Sequence, residues 1–195
     1  AGGSDDQHYM LDIRKSSIEL LASVAETDIG SPSFGDIFGR YDWSFNNGQT
    51  LSINLLAYGD DADINNASRT EVARSNTSNT YVWLDYFLPV SEHFDVRTIF
   101  SVAAINGDRQ GIVDKPDQVL GELTDDQEFR FYNLQQEYNF DFGKKGLFST
   151  GFEYRYLNAE YQFQSKLNIA PAFAQLSNFD RPEVLDIKLN DSGQD

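Results

Sequence analysis

The sequence predicts an all-β chain of long antiparallel strands, and three observations predict it. Seven segments alternate apolar and polar residues with period two, the pattern of strands whose two faces meet different surroundings. The alternating segments run to roughly ten residues or more, against a mode of about 5–6 in soluble proteins. Tight turns alternate along the chain with long polar segments. The composition agrees, because 15 Phe and 10 Tyr in 195 residues coexist with a mean hydropathy of −0.49. Many aromatics in a polar average suit strands with one apolar and one polar face.

The strands are expected at about 8–16, 34–45, 50–60, 80–89, 95–106, 128–142 and 147–163. The first sets Tyr9, Leu11 and Ile13 against His8, Met10, Asp12 and Arg14. The second sets Ile37, Gly39, Tyr41, Trp43 and Phe45 against Asp36, Phe38, Arg40, Asp42 and Ser44. After Asn46, Asn47 and Gly48 the third resumes with Leu51, Ile53, Leu55 and Ala57 against Ser52, Asn54, Leu56 and Tyr58. In the fourth, Val82, Leu84, Tyr86 and Leu88 oppose Tyr81, Trp83, Asp85 and Phe87. Val96, Thr98, Phe100, Val102 and Ala104 make the apolar side of the fifth, opposite Arg97, Ile99, Ser101 and Ala103. The sixth is the cleanest, with Tyr132, Leu134, Tyr138 and Phe140 against Asn133, Gln135, Glu137, Asn139 and Asp141. The seventh sets Phe148, Thr150, Phe152, Tyr154 and Tyr156 against Ser149, Gly151, Glu153 and Arg155. Tight turns are expected at 46–49, 91–95 and 143–146, and long loops at 60–80, 106–128 and 165–195.

Thirty-one acidic against 15 basic residues give a formal charge of −16. That balance disfavours nucleic acid, whose phosphates call for a basic surface. The absence of Cys excludes thiol catalysis, disulfides and Cys-ligated zinc. Neither a signal peptide nor a run of 18 or more apolar residues is visible. Membrane β-barrels need no such run. They need strands of about 9–11 residues, short turns on one side and longer loops on the other. Aromatics also gather beside the tight turns here (Tyr41, Trp43, Phe45, Phe87, Tyr138, Phe140, Phe142 and Phe148). Tyr and Trp favour a membrane–water interface, where the ring is in the apolar layer and the polar atom is wet. The expectation is an antiparallel transmembrane β-barrel, with a soluble antiparallel sheet covering one face as the alternative.

"SFGDIFGRYDWSFNNGQTLSINLLAYGDDADI" resembles a paired-strand unit from the barrel of TonB-dependent receptors. The resemblance rests on Asp36, the aromatic-rich "FGRYDW", a short turn, and "LSINLLAYGDD" rising into a polar segment. "FRFYNLQQEYNFDF" followed by "GLFSTGFEYRYLNAEYQF" is similar to a later strand pair of the same barrel, and the likeness covers about residues 8–165. It implies a cell outer membrane location in a Gram-negative bacterium and uptake of a scarce small ligand by energised transport. Outer-membrane lipid, the TonB complex, a plug and the rest of the barrel are the partners it implies. No plug or TonB-contacting segment is recognisable, and "IKLNDSGQD" reads as loop where such barrels end in an aromatic strand. Single-chain bacterial barrels have an even number of strands. About seven strands are therefore expected to form part of a larger barrel, their first and last members pairing with polypeptide outside these residues. A passive porin-like channel and a soluble secreted all-β binding protein are the alternative functions.

The polar strand faces carry charges of both signs, which need partners when buried. Arg40, Tyr58, Asp85, Arg97, Glu137 and Arg155 are the lumen-facing ligand-binding candidates. "DDADINN" at 60–66 crowds Asp60, Asp61 and Asp63 beside two amides, a set that suits calcium. The EF-hand pattern fails there, with Asn66 where Gly is needed and Val72 where Glu belongs. A solvated acidic segment is the simpler account, so no metal and no cofactor are assigned. His8 and His93 stand alone, and no phosphate loop, zinc motif or nucleophile elbow occurs. An enzyme is not expected.

Overall fold

The computed structural model describes residues 1–16, 32–65, 70–171 and 184–194. They form one antiparallel sheet whose nine strands lie side by side in chain order, with β1 and β9 at its two edges. The strands are β1 (Gly2–Ser4), β2 (Gln7–Lys15), β3 (Ser33–Ser44), β4 (Thr50–Asn65), β5 (Glu71–Ser91), β6 (Phe94–Lys115), β7 (Val119–Asp141), β8 (Leu147–Ile169) and β9 (Val184–Gln194). Substantial contacts between elements run only from each strand to the next, so the described sheet is open.

In such a meander alternate connections fall at opposite ends. Asp5–Asp6, Phe45–Gln49, Glu92–His93 and Phe142–Gly146 make one end, hereafter the turn end. Gly48 takes φ 80° at the second of these, a left-handed conformation that a side chain would disfavour. Beside the third, Pro89 sits next to an irregularity in the β5–β6 register, where a strand tolerates a residue without an N–H. The connections after β4, β6 and β8 make the other end, the loop end.

Seven of the nine strands coincide with the expected ones, but three expectations are corrected. The segments 60–80 and 106–128 are largely strand. β4 and β5 pair from Thr50↔Phe87 out to Asn65↔Val72, and β6 and β7 pair out to Lys115↔Val119. The stretch read as a terminal loop is mostly β9, which pairs with β8 over Asn158–Asn168. The outermost neighbours of β2 and β8 are in part within the chain, because β1 covers Gln7–Tyr9 and β9 covers Asn158–Asn168. The physical reason is common to all three. Ser, Thr, Asn, Gln and acidic residues occupy both faces in these extensions, so period two disappears although the backbone ladder continues. Residues 17–31, between β2 and β3, and residues 172–183 lie outside the described residues.

The register sorts every side chain onto one of two faces. One carries the row Tyr41, Ile53, Leu84, Phe100, Leu134 and Tyr154, cross-strand neighbours from β3 to β8. Rows above and below it hold Leu55, Val82, Val102 and Tyr132, then Trp43, Leu51, Tyr86 and Phe152. The residues expected on the apolar sides of the strands, among them Ile37, Leu55, Leu134 and Phe152, share this face. Asp36, Arg40, Asn54, Asp85, Glu137 and Arg155 share the other.

Burial separates the faces further. Among the described residues the buried side chains are Asp36, Asn54, Asn79, Ala103, Asp125 and Asn133, and all six lie on the polar face. No second layer covers either face of the described sheet. Crowding confined to one side is what a sheet curled toward that side produces. Ala103 is the one buried apolar residue among those described, while Tyr9, Ile53, Phe100, Phe152 and Tyr154 are exposed. A soluble sandwich would hide such a face in its core.

Candidate functional site

All six ligand-binding candidates lie on the polar face, but in different rows. Arg40, Asn54, Trp83, Ser101, Asn133 and Arg155 form one row across it. Strand alternation fixes this, since each residue is two positions from its nearest partner on the same face.

Most of the charges are already engaged. The Arg97 guanidinium donates two hydrogen bonds to Asp85, from Nε at 2.9 Å and Nη2 at 2.5 Å. Arg40 Nε donates to Asp42 at 2.8 Å, and the Ser52 hydroxyl donates to the same carboxylate. Arg155 pairs with Glu153 at 2.7 Å, and Arg14 with the buried Asp36 at 2.9 Å. Tyr58 stacks on Tyr81 with ring centroids 6.2 Å apart. Glu137 faces Arg97 across the β6–β7 ladder. Among the described residues two buried side-chain atoms have no protein partner, Asp36 Oδ2 and Asn133 Oδ1. Both are acceptors buried in the polar face, and buried acceptors without a partner are uncommon in folded proteins.

The metal candidates do not converge. Asp60 lies on the polar face opposite Phe34 and Thr77, whereas Asp61 and Asp63 point to the other side by alternation. Asp63 is held by Arg74 at 3.1 Å. Among the described residues no three carboxylates or histidines are grouped to hold a metal ion.

Sequence reasoning missed a second feature, a hollow of about 630 Å³ at the loop end. Gly111 and Gly121 floor it, and Ile64, Ala73, Leu123 and Leu167 wall it. At Gly121 an added Cβ would come to 3.0 Å from Leu167 Cδ1, so a larger residue there would push the Leu167 side chain aside. Lys115 and Glu71 pair beside it. Its volume lies within the range of small-molecule sites, about 300–1,000 Å³. It was missed because its residues come from segments read as loops. The signal available was the apolar set Ile64, Ala73, Leu123 and Leu167, spaced to one face only once the register is known.

The apolar face supplies the other half of the geometry. Along β6 its apolar side chains run from Phe94 to Ala104, roughly 34 Å of strand at ~3.4 Å per residue. A tilt of about 40° reduces that to roughly 25 Å, the height of the lipid-facing band of outer-membrane barrels. Toward the turn end the band is rimmed by stacked rings. Trp43 and Phe45 lie 5.0 Å apart, and Phe94 and Phe140 4.5 Å. Toward the loop end it stops at Arg130, which pairs with Glu128 at 2.6 Å. Gln136, a polar residue inside the band, donates to Thr98 Oγ1 at 3.2 Å and accepts from the Tyr138 hydroxyl at 2.7 Å. Its amide is thereby satisfied without water.

Comparison with protein-family models, with curated proteins and with solved structures finds no match to this chain.

Proposed function

We propose that this chain is a wall of an outer-membrane β-barrel that takes up a scarce small ligand. The observation that carries the reading is the apolar band, which crosses seven successive strands from β2 to β8 on one face only and would stand roughly 25 Å high at the strand tilt of an outer-membrane barrel. Such a face in water would be an aggregation surface; against lipid it is at home. The opposite face, curled inward and lined with paired charges, then forms a lumen wall. Beyond the band β5 to β8 continue for many residues, with lengths of 21–23 residues. At about 3.3 Å each they reach roughly 70–75 Å. The loop end therefore projects well past the bilayer and carries the apolar hollow on its inner side, where a ligand would first arrive. Energised uptake and a TonB partner rest on the resemblance of 33–64 and 129–163 to TonB-dependent receptors.

The two tryptophans test the membrane reading directly. Trp43 is on the apolar face and 41% exposed, while Trp83 lies on the polar face beside Phe38, 6.4 Å away. In vesicles with brominated acyl chains, the Trp83→Phe protein, which retains Trp43, should lose most of its fluorescence. The Trp43→Phe protein should keep most of its own. Equal quenching of the two would end the membrane assignment. Ligand accumulation that stops when the proton gradient is collapsed supports energised uptake; steady ion conductance through a bilayer holding the protein supports a passive channel in its place.

A further inference from the structure

The hollow at the loop end lies on the lumen-side face, at a level that lipid does not reach. Gly111 is seven residues beyond Ala104, where the apolar side chains of the band end on β6, roughly 24 Å further along the strand. Yet the side chains there are apolar again, now on the opposite face. Ile64, Ala73, Gly111 and Leu123 are cross-strand neighbours from β4 to β7. Val113, Gly121 and Leu167 follow from β6 to β8. The adjacent row of the other face is Asp63, Arg74, Gln110 and Thr124, all polar. Ile64 and Leu123 are exposed. An apolar zone above the bilayer, turned away from the acyl chains, marks a surface that something else covers.

Size says what kind of thing. Ala73, Gly111 and Gly121 stand lower than Ile64, Leu123 and Leu167 around them, which leaves the volume of about 630 Å³. At Gly111 an added Cβ would meet only Leu123 Cβ, at the ordinary contact distance of 3.6 Å. That position therefore looks into open space. The volume is that of a site for one small molecule.

Charge narrows the class. The charged side chains bordering the hollow are Glu71, Glu122 and Lys166. Glu71 pairs with Lys115, and Glu122 stands opposite Lys166 across the β7–β8 ladder. One row nearer the membrane, Arg109 holds Asp125 at 2.6 Å, and Gln127 donates to the same carboxylate at 3.1 Å. A charged ligand would give up its hydration here without gaining a partner. An uncharged one gives up little and covers the apolar walls.

We infer that the hollow binds an uncharged, predominantly apolar small molecule. On the uptake reading, on which this rests, that is the class of the ligand taken up.

The probe is benzophenone, an uncharged apolar molecule that attaches on illumination to what it touches. The full chain in lipid vesicles is illuminated with benzophenone or with one of two charged analogues, 4-benzoylbenzoate and (4-benzoylbenzyl)trimethylammonium. Labelled positions are mapped by mass spectrometry. Benzophenone should label the segments around Leu123 and Leu167 saturably, in about tenfold excess over either charged analogue. Gly111→Trp, whose ring enters the hollow, should cut that labelling about tenfold. Leu123→Ser should cut it in part, and it decides the matter if Gly111→Trp fails to insert. Equal labelling of the native chain and the inserted variants, or a charged analogue that matches benzophenone, overturns the inference.

The same samples keep the two readings apart, because benzophenone dissolved in the bilayer also reaches the band around Phe100 and Leu134. Band labelling that the substitutions leave unchanged reports an inserted chain. Band labelling without hollow labelling sinks the ligand class alone. Hollow labelling without band labelling upholds the site and sinks the membrane reading.

Discussion

The two halves of this sheet share one backbone ladder and differ in what their faces meet. In the turn-end half, Leu134 and Phe100 stand on one face while Asn133 and Ser101 stand on the other. In the loop-end half of the same strands, Asp126 and Asp108 stand on the first face while Gln127 and Gly107 stand on the second. Hydrogen bonding continues unchanged from Phe94↔Phe140 to Lys115↔Val119. The alternation thus records a difference in solvent between faces. It does not record the presence of a strand, which the backbone can sustain where both faces are wet.

Moving one charge between the halves is the strongest way to break that comparison. Leu134→Lys places an ammonium at the middle of the apolar band and should cost about 2–4 kcal/mol of folding stability in lipid. Thr124→Lys puts the same group on the same face of β7 beyond the band, and should stay within about 0.5 kcal/mol. Reversible urea unfolding in vesicles measures both. If Thr124→Lys costs as much as Leu134→Lys, the band does not end at Arg130.

This contrast also explains what was legible. Seven strands, the three tight turns and both faces could be read where Tyr132, Leu134, Tyr138 and Phe140 alternate with Asn133, Gln135, Glu137 and Asn139, because lipid-like and water-like demands alternate with them. The outer reaches could not. In "VARSNTSN" of β5 both faces are polar, and in "GELTDDQE" of β7 acids fall on both, so composition imitates a loop. The polar wall was legible as a set, since Arg40, Asp85, Arg97 and Arg155 follow from parity alone. Its pairings were not. Arg40 turns to Asp42 on its own strand, whereas Arg97 reaches Asp85 on the next. That choice depends on side-chain rotamers, which no period encodes. The hollow at Gly111 and Gly121 needed the register of five strands, β4 to β8, before its walls came together.

A subtler test stays inside the band. Gln136 is tolerated there because Thr98 and Tyr138 occupy its amide. Thr98→Val removes the acceptor for its N–H₂ group and should cost about 1–3 kcal/mol, the desolvation of an unpaired polar group. Adding Gln136→Leu to Thr98→Val should recover part of the loss, since the unpaired amide is then gone and only the Tyr138 hydroxyl has lost its acceptor. The same cycle measured for a water-facing amide would show little coupling. Additive losses for Thr98→Val and Gln136→Leu would mean that water reaches the amide and that the face is wet at that depth.

The smallest expected effect lies in the loop-end half, where Asp108 and Asp126 face each other across β6 and β7. The Asp126 carboxyl is raised above its ordinary value, first by a hydrogen bond shared with Asp108, then by burial, and then by the charges of Asp108 and Asp125. With a raised folded value the native protein binds more protons than the unfolded chain between the ordinary value of 3.8 and the raised one. Stability therefore falls as pH rises through that window, and the penalty persists at every higher pH. Asp126→Asn keeps a hydrogen-bond donor toward Asp108 and removes the repulsion. It should flatten the pH dependence between acid and neutral and add less than about 1 kcal/mol at pH 7, because the pair is largely in water. High salt should shrink the difference further, as screening does for exposed charges. Were Asp126→Asn to destabilise the protein at pH 7, the two carboxylates would not be repelling each other. A cation held between them would then be the simplest account of their closeness.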